Sequence, residues 1–212
     1  MPSTLVHAAV GALLAAALLA EAFDGRSVGV VVAAVAAVDF DTFLDPLVPG
    51  LHRAATHTFV LPALLGLALY LDLRRETPLV TRWRDDAGRV LGVALVGVAV
   101  SGIGLDMVTN GVNAAWPLHD QFYTVDGKAV LSDQRGFVQT FVDLSPPESG
   151  DGGAVRTTNN TRYVTGVNPG SSGDEGDPER VFPLVRSGWQ LLLVVAAPLV
   201  VGWRLWETRD DA

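Results

Sequence analysis

The chain has 212 residues, 49% of them hydrophobic, and a formal net charge of −8. A mean hydropathy of +0.33 is too apolar for an ordinary soluble domain, and the acidic balance argues against nucleic-acid binding. There are no cysteines, which excludes disulfides, thiolate metal sites and cysteine nucleophiles.

Five apolar segments read as membrane helices. The first is Leu5–Ala20, uncharged apart from His7. Ala20-Glu21-Ala22 resembles a signal-peptidase site, but nothing basic precedes Leu5, so the segment is expected to be retained. The second, Val28–Val38, is short of the roughly 20 residues that a crossing needs unless it continues through Asp39-Phe40-Asp41 toward Leu44. The third is Phe59–Leu71, lengthened by His57 and Thr58, and the fourth is Val90–Leu105, ending at Asp106. Between the fourth and fifth lies a long acidic stretch. It predicts one hairpin pairing Phe122–Val125 with Lys128–Leu131 across Asp126-Gly127, and another around Asn159-Asn160. Asn159-Asn160-Thr161 also matches a glycosylation acceptor. Residues 166–179 read as a flexible Gly/Ser/Asp/Pro run. The fifth segment, Trp189–Trp206, is flanked by an aromatic belt. The fold class is therefore an all-α integral membrane protein of about five transmembrane helices with a partly β extracytoplasmic loop. Its parts are a membrane domain over residues 1–120, an acidic loop over 121–187, and a C-terminal helix with its tail over 188–212.

Arginine sets the orientation. Arg74, Arg75, Arg82, Arg84 and Arg89 crowd the loop between the third and fourth segments, which places it in the cytoplasm. The C-terminus falls on the same side. The N-terminus, the 45–56 loop and the 107–188 stretch fall outside. Of the 15 basic residues only Lys128 is a lysine, and such acid-rich, lysine-poor loops resemble those of salt-loving archaea.

With this topology the unusual polar residues of four segments reach one membrane level. They are His7, the pair Asp39 and Asp41, the group His52, Arg53 and His57, and Asp106 with Thr109 and Asn110. Ionisable residues in spans are costly and mostly functional, and their convergence counts for more than any one of them. Arg53 and His57 stand four apart, which on a helix is one face, whereas Asp39 and Asp41 point apart unless the helix unwinds. Asp45-Pro46 and Pro49-Gly50 support an early helix end. Carboxylates with imidazoles make a ligand set for a divalent cation, zinc or manganese first among the candidates.

In order and spacing these blocks resemble a known family, the small polytopic membrane proteins described as LexA-binding, inner-membrane-associated, metal-dependent hydrolases. The matches are His7 in LVHAAVGALL, Asp39 and Asp41 in VDFDTF, and His52, Arg53, Thr56 and His57 in HRAATHT. The last block is GLDMVTNGVNAAWPL, with Asp106, Thr109, Gly111, Trp116 and Pro117. One position departs: Gly102 stands where the family pattern has a histidine four residues before the aspartate, and His119 is a conceivable substitute. The resemblance covers residues 1 to about 120 and implies a metal-dependent hydrolase of unspecified substrate.

The expected function is hydrolysis of a lipid-associated ester, a phosphoester for preference, at the extracytoplasmic membrane face. Asp39, Asp41, His57 and Asp106 would hold the metal, Arg53 would pair with phosphate, and His52 or His7 would move protons or complete the metal shell. The expected partner is a membrane lipid or lipid-linked substrate. The first alternative is a non-catalytic metal-binding membrane protein, which Gly102 favours. The second is an ion or proton transporter, against which the apolar inner halves of the segments count.

Overall fold

The structure is a computed structural model, and it describes residues 2–141, 155–163, 165–167 and 180–210. The Asp-rich part of the expected flexible run and the Val164 arm of the second expected hairpin lie outside the described residues.

Helix α1 spans Thr4–Leu18 and starts where the Ser3 hydroxyl accepts the Val6 amide. Helix α2, Gly25–Ala37, is capped by Asp24, whose carboxylate accepts the Ser27 amide at 2.7 Å. Arg84 donates to the other Asp24 oxygen at 3.0 Å and to the Ser27 hydroxyl at 2.9 Å. Burial opposes the Asp24 charge, but the Ser27 amide and Arg84 outweigh it and hold the carboxyl below its usual range. After Ala37 the chain tightens into a 3₁₀ segment, Val38–Phe43. Helix α3 is Val60–Leu73, and helix α4 is Ala87–Met107 with a π-helical stretch at Val98–Gly104. Helix α5, Gly188–Asp210, runs through Pro198.

The core lies where α1, α2 and α4 meet, around Ala15, Leu19, Val31, Val35 and Val90, with α5 packed on α1. Glycine allows the close approach. A Cβ on Gly11 of α1 or on Gly97 of α4 would stand 3.0 Å or 2.9 Å from the Val35 methyl, so both helices seat on one valine of α2. Outward, α3 and α5 bare Leu64, Leu67, Leu71, Leu192, Leu199 and Trp203. Apolar faces of this extent suit a hydrocarbon surrounding.

Among the described residues two helices, Ala87–Met107 and Gly188–Arg209, are long and apolar enough to cross a membrane. Helices α1 and α3 are apolar but shorter, with 15 and 14 residues, and α2 has 13. Helices thus stand at the five segments expected to be transmembrane, two of them of crossing length and three shorter. The difference arises because the chain breaks early at Leu19, at Val38 and around residues 50–58 to build turns.

The hairpin also differs from expectation. Its strands are β1, Ala129–Ser132, and β2, Gly136–Gln139, paired antiparallel from Ala129↔Gln139 to Ser132↔Gly136. The turn is closed at Gly136, whose φ of +67° suits glycine, and by the Ser132 hydroxyl accepting the Gln134 and Arg135 amides. The expected arm at 122–125 is taken elsewhere, because Tyr123 bridges Val112. Residues 155–163 form a turn and irregular chain where a second hairpin was expected.

A candidate metal centre

The polar residues converge at one end of the bundle: the first turn of α1, the segment after α2, the loop before α3 and the end of α4. The loop is not helical, so Arg53 and His57 share no helical face. Arg53 instead takes a left-handed backbone, φ +65°. That conformation is uncommon outside glycine and here is fixed by contacts on every side. The Arg53 carbonyl accepts the Asn113 amide, and Phe59 N–H donates to the Ala114 carbonyl, which stitches the loop to residues 111–116. The Asp45 carboxylate accepts the Gly50 and His52 amides and closes the preceding turn.

Asp41 is fully buried and sits between two imidazoles. Its Oδ1 lies 2.8 Å from His52 Nδ1, and its Oδ2 lies 2.8 Å from His57 Nδ1 and accepts the Arg53 amide at 3.0 Å. A carboxylate can only accept, so both Nδ1 atoms carry the hydrogen. The 3₁₀ segment turns Asp39 the other way. One Asp39 oxygen accepts the Thr4 hydroxyl, and the other lies 3.5 Å from His57 Nε2. The two aspartates therefore flank His57, one at each ring nitrogen.

His7 is held in the same manner by a carbonyl. Its Nδ1 donates to the Ser101 carbonyl at 2.6 Å, and the Ser101 hydroxyl donates back to the His7 carbonyl at 2.7 Å. Ser101 lies in the π-helical stretch of α4, a local geometry often found at functional sites. His7 Nε2 is thereby aimed at Asp106 Oδ1, 3.6 Å away. Asp106 Oδ2 lies 3.1 Å from His57 Nε2.

Ligand atoms of His7, Asp39 and Asp106 lie within 4.8 Å of one another, a group that could hold a metal ion. The chemistry of the donors fits a cation. With Nδ1 donating on both rings, neutral His7 and His57 present their Nε2 lone pairs toward carboxylates, an arrangement that a cation between them would neutralise. His57 Nε2 is buried, with Asp106 Oδ2 at 3.1 Å and Asp39 Oδ1 at 3.5 Å. An imidazole whose far nitrogen donates to a carboxylate or a carbonyl is the usual outer shell of a metal-bound histidine.

Arg53 is wholly buried. Its Nη2 lies 2.9 Å from Asp106 Oδ1, its Nη1 donates to the Gly111 carbonyl at 3.2 Å, and Tyr163 covers its guanidinium at 4.7 Å. Its fork thus faces Asp106 within the protein. Gly102 is also buried, and a Cβ there would stand 2.8 Å from a Val38 methyl. His119 is exposed and pairs with Gln121, away from the convergent group. Thr109 and Asn110 stay outside it: the Thr109 hydroxyl caps the end of α4, and the Asn110 carbonyl accepts from Arg156 and Tyr163.

Three contributors were not singled out as site residues by the sequence. Ser101 orients His7, Tyr163 covers Arg53, and Asp45 shapes the turn. Only Asp45 sits in a recognisable setting, a Pro-flanked turn.

A cavity of about 410 Å³ opens onto this group, its floor formed by Asp39, His52 and Asp106. Such a volume admits a small ligand or the end of a larger one. A helical, apolar chain with a buried His/Asp group that could hold a metal defines a membrane protein with a candidate metal centre. The model of the YdjM inner membrane protein family matches residues 1–170, and the chain belongs to that family. No curated protein and no solved structure matches the chain.

Proposed function

We propose that the protein is a membrane-bound, metal-dependent hydrolase acting on a lipid-associated ester at the extracytoplasmic face. The observation that carries this reading is the pair of imidazole Nε2 atoms, on His7 and His57, set 3.1 to 3.6 Å from Asp39 and Asp106 oxygens in a buried setting. His7, Asp39 and Asp106 hold the cation, with His57 completing the shell. The ion supplies Lewis acidity toward the ester oxygen. Asp41 accepts from both Nδ1 atoms and fixes the tautomers of His52 and His57. Arg53 holds Asp106 in place and balances its charge.

His52 is the residue left to move a proton. Its Nε2 is buried without a partner among the described residues, and its ring lines the cavity. In hydrolysis Nε2 takes a proton from the attacking water and returns it to the departing alkoxide. The test is turnover by the full chain against a panel of lipid esters, with zinc or manganese supplied, then with chelator, and with His52→Ala. The expected result is metal-dependent turnover that His52→Ala lowers about 10²–10⁴-fold at unchanged metal content. A fully metallated wild type inactive on every ester would instead favour a non-catalytic metal-binding protein.

A further inference from the structure

We propose that Arg186 is the anion-recognising residue of this site, and that the substrate is a phosphate ester carried on an aliphatic chain. The assignment rests on the hydrolase reading and goes beyond it by naming the substrate class. Arg53 has its guanidinium committed to Asp106, the Gly111 carbonyl and the Tyr163 ring, and it is wholly buried. Among the described residues the cavity has one cationic side chain on its wall, Arg186, in the segment leading into α5. That side chain is exposed and has no partner among the described residues.

Apolar side chains make up much of the rest of the rim, beside the hydroxyl residues Ser3, Thr4, Thr42 and Thr165. Leu5, Phe182 and Leu184 line the cavity and are 42%, 65% and 68% exposed. A polar floor with a metal group, one arginine on the wall and bare aliphatic and aromatic side chains at the mouth fit a ligand that is anionic at one end and hydrocarbon at the other. Guanidinium supplies a planar pair of donors that matches two phosphate oxygens. An uncharged ester would leave that pair with nothing to do. Arg186 also lies beyond residues 1–170, the part that matches the family.

The test uses the full chain in a phosphate-free maltoside detergent, loaded with manganese. Binding is measured for phosphatidic acid, for inorganic phosphate and for diacylglycerol, with metal content determined in parallel. Wild type is expected to bind phosphatidic acid more tightly than either of the others. Arg186→Gln is expected to keep its metal and to lose roughly ten-fold or more in affinity for phosphatidic acid and phosphate, with diacylglycerol unchanged. Phe182→Ser should weaken phosphatidic acid and diacylglycerol and leave inorganic phosphate unchanged. Arg186→Gln binding phosphatidic acid like wild type would overturn the assignment and leave the metal centre standing. Inorganic phosphate bound as tightly as phosphatidic acid would overturn the lipid part. A wild type that takes up no metal would overturn the underlying reading, and this proposal with it.

Discussion

Asp41 is the residue whose role changes most between sequence and structure. A D-x-D pair beside histidines suggests two metal ligands, yet both Asp41 oxygens are spent on imidazole hydrogens. Asp41→Asn can accept from only one ring. It is expected to weaken metal binding by about 10–100-fold without abolishing it, as losses of outer-shell partners do. Metal titration calorimetry against Asp106→Asn measures the difference. Equal and complete loss in both variants would make Asp41 a ligand in its own right. The set of polar residues was legible in the sequence because each is costly near hydrocarbon. Their division into ligands and supports was not, because it depends on which ring nitrogen meets which carboxylate. Arg53 shows the same limit. Its spacing from His57 suggested a helix face, but the turn at Pro49-Gly50 and the left-handed φ at Arg53 send the side chain inward to Asp106.

Among the elements, the 3₁₀ segment after α2 and the π-helical stretch of α4 build the site together. The first separates Asp39 from Asp41, and the second brings the Ser101 carbonyl to His7. They pack against each other at Val38 and Gly102. By motif alone, Gly102→His would restore a missing ligand. The geometry predicts the opposite, because any side chain at 102 must push Val38, the residue that leads into Asp39. Gly102→His should lower stability by about 1–3 kcal/mol or more and weaken metal binding. Thermal unfolding and metal titration of the variant check this, and a variant with unchanged Tm and tighter metal would contradict it. The early end of α2 was foreseeable from Asp45-Pro46. The hairpin was misplaced because Asp126-Gly127 is a strong local turn signal, while the bridge from Tyr123 to Val112 is a long-range contact that no local pattern reveals.

Across the whole molecule, the arginine-rich turn and the metal centre occupy opposite ends of the bundle. Arg84 meets Asp24 at the start of α2, while Asp39 and Asp41 follow its end. If the arginines face the cytoplasm, the centre opens outward. Thr81→Cys and Ser132→Cys test this on intact cells with an impermeant thiol reagent. Labelling is expected at 132 and absent at 81, and the reverse pattern would invert the topology. Which helices are long enough to cross was the weakest part of the sequence reading, because hydropathy marks apolar runs without showing which of them end in turns that carry a site. The claim on which the account depends most is that His7, Asp39 and Asp106 hold a divalent ion. Elemental analysis of the full chain, purified without chelator, tests it most directly when wild type is set beside His7→Ala and Asp106→Asn. The account predicts a divalent metal in stoichiometric amount in wild type and its loss from both variants; a stable wild type free of metal, or a His7→Ala variant retaining the full complement, would contradict it.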